Sequence, residues 1–404
     1  MLDLLASILS ENTDIPALTS LRQKGKIAFS NISDLKTEAY KYTPVWQKLT
    51  KEMFEQSAPC LHENCECHHQ YLPFEAYELH YCNGCIHPHF SFMEGLEIST
   101  LLTAVTEHEI QKYINKFDLD KFPFAALNTA HLEQGLFIRI SKKLDKPLAL
   151  IYHNTKSGAK YIRNIIVSEA DSHAELIEVY EGFDQPYFIN IVNEIFIARH
   201  AVLKHYKRQN EGNNTAHIAF SNVQIKSGGK YESYTYEQGA QIARNETHVC
   251  LKEENAEALV NAAYLVKDSR LTDTTTDIEH ISPQTMSQQQ VRGVIDDNAH
   301  GVFQGKIHIH PNAQKTQGYQ LHKALLLSDN AHVDVKPELE IYADDVKCSH
   351  GSTSGDLNED ELFYLKSRGI DELTARQILI SAFLDTVFDN ISNSDIKEFL
   401  IHLP

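Results

Sequence analysis

Basic charge is what this sequence is short of. Its 404 residues carry 37 Lys and Arg against 55 Asp and Glu, a formal charge of −18. Such a surface repels a phosphate backbone, so nucleic acid is an unfavourable partner. Long apolar runs are also missing: none approaches the roughly 18 residues of a membrane span. The opening stretch, MLDLLASILSENTD, has no basic region ahead of its short apolar run, so a secretory leader is not expected. The seven cysteines are an odd number, unevenly spread. With no secretion signal they read as reduced thiols, and the expected compartment is the cytoplasm.

Nucleotide and hydrolase motifs are absent too. There is no GxxxxGK[ST] loop; Ser227-Gly228-Gly229-Lys230 lacks the first glycine and the final hydroxyl residue. Neither GxGxxG nor GxSxG occurs. Any ATP hydrolysis linked to this chain therefore belongs to a partner.

What is there is mostly strand. From about residue 136 the chain breaks into short apolar runs bounded by Gly, Asp, Asn or Ser. Examples are LFIRIS, PLALIYHN, YIRNIIVS, HAELIEVYEG and YFINIVNEIFIARH. Few long helical patterns intervene, which leaves a sandwich, a barrel or a solenoid. Asp297-Asn298-Ala299-His300 recurs as Asp329-Asn330-Ala331-His332, an offset of 329 − 297 = 32 without a gap. Ile307 then matches Leu339 and Ile309 matches Ile341. Turn residues and inward aliphatics at one spacing suit stacked coils.

The flanks read as helical. Leu4, Leu5 and Ile8, then Trp46, Leu49 and Met53, repeat at helical spacing and predict a small packed bundle. STLLTAVTEHEIQKYI and PFAALNTAHL predict further short helices. Near the other end, Leu339–Tyr342 reads as a strand, and the Ser, Thr and Gly after Cys348-Ser349-His350-Gly351 as a turn. Asn358 is the expected N-cap of the next helix, with Glu361 at the capping-box position and Gly369 as its C′ stop. Asp371 caps a second helix, whose Ala375, Ile378, Leu379, Ala382, Phe383 and Val387 share one face. Ser394 starts a last one.

Two groups of residues offer chemistry. Cys348 and His350, two apart on a strand, share a face, and both can ligate iron or receive sulfur; equally, the thiol can be core packing. The second group is Cys60, Cys65, Cys67, His68, His69, His80, Cys82, Cys85, His87 and His89, which could bind zinc. The competing reading of its centre is a type I′ hairpin at Asn83-Gly84, with Cys82 and Cys85 facing each other across the turn.

The stretch ADDVKCSHGSTSGDLNEDELFYLKSRGI resembles the C-terminal signature of the SufB/SufD family, scaffolds of the Suf iron–sulfur assembly machine. The likeness is strong from Asp268 to Leu379 and weaker at PFAALNTAHLEQG and TEAYKYTP. His322-Lys323-Ala324 stands where SufB-like chains carry Cys-Asp-Ser, and Gly351 where they carry a glutamate. Both departures point to the SufD side. The resemblance implies a right-handed parallel β-helix core over 76–352, with helical domains at 1–75 and 353–404. It implies no enzymatic activity and no tightly bound cofactor, but a transient cluster built at an interface with a SufB-like subunit. His350 matches the family's interface histidine and Cys348 its neighbouring cysteine. A SufC-like ABC ATPase is expected against the C-terminal helices, with Arg368, Gly369 and Arg376 as candidate contacts. A homodimer is expected when the chain is alone. The readings weighed against this are a Cys/His-rich metal module and a solitary β-helix enzyme.

Overall fold

The computed structural model describes residues 15–31, 38–55, 70–86, 93–107 and 109–401. Its body is a parallel β-solenoid of two sheets. One runs in the order β19 (Val346–Gly355), β17 (Thr316–Leu326), β15 (Met286–Ile295), β13 (Glu257–Val266), β11 (Lys230–Glu237), β9 (Val202–Asn210), β7 (His173–Gly182), β5 (Leu148–Asn154), β1 (Tyr77–Cys82) and β2 (Cys85–Ile86). The other runs β18 (His332–Ile341), β16 (His300–Ile309), β14 (Leu271–His280), β12 (Ile242–Leu251), β10 (Thr215–Ile225), β8 (Tyr187–Ile197), β6 (Gly158–Ser168), β4 (Leu136–Ile140) and β3 (Leu96–Thr100). From β4 onward successive strands alternate between sheets, and each pairs in parallel with the strand one coil away, while β1–β2 and β3–β4 are antiparallel pairs at the other end. The repeat read from sequence is one such coil: His300 registers with His332, Ile307 with Leu339 and Ile309 with Ile341.

The turn chemistry repeats with the coils. One or two positions ahead of each strand β7, β9, β13, β15 and β17 the chain is left-handed, at Asp171, His200, Asn255, Gln284 and Lys315, with φ of 61, 57, 60, 59 and 59°. Ahead of β11 the same corner falls to Gly228, φ 62°, where the absent Cβ costs nothing. Inside the coils, register stacks like on like. Tyr81 lies on Tyr152 with ring centroids 4.8 Å apart, and Tyr152 on Tyr180 at 4.5 Å. Aliphatics fill the remaining lumen, among them Leu150, Ile162, Ile189, Ile225 and Leu251, all fully buried. Burial of that kind contributes about 1.5–3 kcal/mol per side chain.

Of the expected N-terminal bundle, Leu4, Leu5 and Ile8 lie outside the described residues. Of the helices that follow, α1 (Thr19–Asn31), α2 (Val45–Lys48), α3 (Leu101–Thr106) and α4 (Pro123–Ala130), α1 packs against α4. Phe29, Tyr40, Trp46 and Met53 pack with Phe124 onto Phe188, Ile218 and Ile242, the outer face of the second sheet. The TEAYKYTP stretch is an anchor there. Thr43 donates to Asp273, Asp273 pairs with Arg244, and the Arg244 guanidinium lies 4.4 Å over the Tyr40 ring. PFAALNTAHL anchors likewise: Asn128 donates to the carbonyls of Ile162 and Asn190, and Thr129 accepts from Arg163 at 2.7 Å.

At the other end stand α5 (Glu359–Ser367), α6 (Glu372–Asp385) and α7 (Ser394–Ile401). The predicted caps hold. Asn358 accepts from the amides of Asp360 and Glu361, Asp371 accepts from Thr374, and Gly369 (φ 88°) closes α5. The Gly369 and Ile370 amides return to the carbonyls of Lys366 and Leu365, the Schellman pattern. The expected apolar face of α6 is corrected. Phe383, Leu384, Val387 and Phe388 turn onto the first sheet, while Ile378 and Leu379 face α5. The expected turn after Gly351 is also corrected, since Gly351–Gly355 is the second half of β19.

Candidate functional site

Both sheets end at the same end of the solenoid. β18 pairs only with β16 and β19 only with β17, so two strand edges and the lumen between them lie open. Such edges ordinarily need cover. α6 packs against β15 and α7 against β9, so the C-terminal helices lie along the flank and, among the described residues, leave the end bare.

Cys348 and His350 both sit on the inner face of β19. Cys348 is opposite Gly318 and packs with Ile307, Ile309, Ala313 and Leu339. Burial pushes its thiol up from the usual cysteine range, so it rests as SH, the weaker ligand. His350 lies one pleat on, opposite Gln320, and is exposed. Sequence reasoning missed Gln320. It is 3% exposed, and neither its amide nitrogen nor its oxygen has a partner among the described residues. The signal available was register: Gln289, Gln320 and His350 follow one another at one-coil spacing on one column.

His322, which stands where SufB-like chains have a cysteine, is fully buried. It stacks on Phe303 at 5.1 Å and lies 3.1 Å from the Tyr264 hydroxyl. Burial drops it to about 4, so it is a neutral core imidazole.

Arg368, Gly369 and Arg376 come together at the junction of α5 and α6. The Arg368 guanidinium lies 5.2 Å over the Tyr364 ring, and the Glu372 carboxyl is lowered first by its bond to Lys366 and to a smaller extent by Arg376. Around them is exposed apolar surface: Phe363 at 74%, Leu373 at 69% and Tyr364 at 56%. Tyr364, Leu365, Ile378 and Leu379, with Asp360 and Glu361, line a shallow groove.

Of the Cys/His-rich stretch, Cys60, Cys65, Cys67, His68, His69, His87 and His89 lie outside the described residues. The hairpin is as expected: Asn83 and Gly84 take φ of 50 and 86°, and Cys82 faces Cys85. Cys82 is disulfide-bonded, so the expectation of reduced thiols fails for it and it offers no thiolate. Cys250 and Cys348 carry free thiols. His80 is already engaged, 3.1 Å from His153 and 3.2 Å from Glu78.

Among the described residues no helix is long and apolar enough to cross a membrane. Residues 151–383 match the family model described as the SUF system FeS cluster assembly, SufBD core domain. A curated iron–sulfur cluster assembly SufBD family protein of Synechocystis is 30% identical over 343 residues, covering 80% of this chain and 76% of that protein. The iron–sulfur cluster assembly protein SufD of Escherichia coli is 31% identical over 261 residues, 63% of this chain and 61% of its own length. A chloroplastic protein of Arabidopsis thaliana, ABCI7, is 30% identical over 72% of this chain and 64% of its own. A core model over more than half the chain and relatives of this extent settle the classification: the chain belongs to the SufBD family of iron–sulfur cluster assembly proteins, and is SufD-like.

Proposed function

We propose that this chain is a non-ATPase scaffold subunit that pairs, through the open end of its solenoid, with a SufB-like subunit. A nascent cluster is the cargo of the joint site, and His350 is the ligand this chain brings to it. The observation that carries the reading is the coincidence of two unpaired strand edges, an open lumen and an exposed imidazole at one end. A sister solenoid meeting that end could extend both sheets at once and cover the bare lumen. His350 and the buried, unpartnered Gln320 behind it would then face the partner's ligands. Cys348, protonated and packed, serves as wall more than ligand. The groove at α5 and α6 is the proposed seat of a SufC-like ABC ATPase, with Arg368, Gly369 and Arg376 at its rim. A cytoplasmic setting goes with this reading.

Co-expression with SufB-like and SufC-like partners tests it. His350→Ala should leave the complex intact on gel filtration and abolish cluster formation, read as loss of visible iron–sulfur absorbance. Normal cluster yield in that variant removes His350 from the site. Failure of the native chain to recover either partner removes the pairing.

A further inference from the structure

Away from the open end, the outer face of the second sheet gathers a different set of donors. His248 and Cys250 alternate with inward Val249 and Leu251 on β12, so both point outward. One strand over, Glu279 is the register partner of Cys250, and Asp277 that of His248. Nε2 of His248 is 3.6 Å from Sγ of Cys250 and 3.6 Å from Oε1 of Glu279, and Sγ is 3.8 Å from Oε2 of Glu279. A tetrahedral ion with bonds of about 2.0–2.3 Å sets its ligand atoms about 3.3–3.6 Å apart. The two edges to Glu279 use its two oxygens in turn; with one ligand atom taken from each residue, the three atoms lie within 4.8 Å of one another, so an ion draws them slightly together. From these positions we infer that His248, Cys250 and Glu279 form a binding site for one borderline divalent metal ion of the Zn²⁺ or Fe²⁺ class.

The surroundings agree. Nδ1 of His248 lies 3.0 Å from Oδ1 of Asn222, an acceptor, so Nδ1–H donates there and Nε2 is the nitrogen that faces the thiol and the carboxylate. An outer partner of that kind fixes the tautomer of a metal-ligating histidine. Cys250 is 7% exposed and the His248 side chain 12%, with the Phe122 ring 5.7 Å away, so bulk water is largely held off one side. Thiolate and carboxylate together balance a dication. His310 Nε2 lies 3.9 Å from Oε2 of Glu279 and holds that carboxylate from its far side, outside the three-ligand set. Asp277 Oδ1 is buried beside His248 with no hydrogen-bond partner among the described residues. Sulfur selects a borderline ion over Mg²⁺ or Ca²⁺. The site is independent of the pairing proposed above.

The test is titration of the chelator-stripped full chain with Co²⁺ alone, followed by absorbance. The wild type should give thiolate-to-cobalt charge-transfer absorption that Zn²⁺ bleaches. Cys250→Ser should lose one equivalent and that part of the band, with circular dichroism unchanged. Glu279→Gln should weaken binding at least about tenfold, and Asn222→Ala about 10- to 100-fold through the outer partner. Identical titrations for wild type and Cys250→Ser, the remaining cysteines supplying the whole signal, overturn the site. If Cys250→Ser does not fold, Glu279→Gln and His248→Ala decide it: unchanged affinity in both rejects the assignment.

Discussion

Gln320 lies directly opposite His350 in the last ladder rung, and the pair is split by solvent: the amide is buried and unpartnered, the imidazole exposed. Gly305 makes the arrangement possible. A Cβ there would fall 1.5 Å from the Gln320 amide nitrogen. A buried amide with no partner costs about 1–3 kcal/mol. Gln320→Leu should therefore raise the stability of the isolated chain by about 1 kcal/mol, read from the urea midpoint. If the amide serves the joint site, the same variant lowers cluster output in the co-expressed complex. Lower stability in Gln320→Leu would show that the amide is bonded after all.

Glu237 gives a pH signature. It is fully buried, accepts from Asn245 at 2.7 Å, and burial raises its carboxyl to about 8. An unfolded glutamate titrates near about 4.3. Below that both states hold the proton and nothing is lost. Above it the unfolded chain releases the proton while the folded one keeps it. Stability from this group therefore falls by about 1.4 kcal/mol per pH unit as pH rises from about 5 toward 8. Glu237→Gln keeps the acceptor and removes the titration. Midpoints measured at pH 5, 6, 7 and 8 should diverge, the variant gaining on the wild type with each step up. Parallel curves would mean the carboxylate is ionised in place.

Much of the architecture was legible because a solenoid writes its period into the chain. The Asp-Asn-Ala-His repeat is a coil, and Asn358, Gly369 and Asp371 are caps with the bonds their positions predict. The misses have physical causes. Gly351–Gly355 reads as a turn because Gly and Ser have poor strand propensity, yet an edge strand can adopt them when its neighbour supplies the ladder. The face of α6 was misjudged because the helix is shared between the first sheet and α5, which blurs a single stripe. Cys250 and Glu279 are 29 apart in sequence, 279 − 250, and only the register brings them together. Gln320 reads as an ordinary surface residue until the coil geometry turns it inward.

Arg163 tests how the helical layer is fastened. It is fully buried, donates to Glu194 at 2.7 Å, and reaches Asn115, Asn128 and Thr129 at 3.1, 3.0 and 2.7 Å. Removing one partner of a buried pair leaves the other charge unpaired, at about 3–5 kcal/mol. Arg163→Leu should lose that much, while Arg163→Leu with Glu194→Leu should lose less than the two single changes summed. A fully additive double variant would mean that the Arg163–Glu194 pair carries no coupling.

The helix α5 is the least secured element of the C-terminal region. Its nine residues include no buried side chain, and its main packing among the described residues is against α6. A helix so short is marginal in water by itself. What holds it is local: the Asn358 cap, the Gly369 stop and the 2.6 Å pair of Lys366 with Glu372. These amount to roughly 1 kcal/mol for the cap and less for the exposed pair. Its amides should therefore exchange hydrogen fast in the isolated chain, well ahead of those in β13 or β15. Cover from an ATPase partner over Phe363, Tyr364 and Leu373 should slow that exchange. Phe363→Ser should leave the melting temperature within about 1 °C, since the ring buries nothing in the free chain, and should abolish the added protection. Slow exchange in the free chain would show that α5 needs no partner, and full protection in Phe363→Ser would move the docking surface elsewhere.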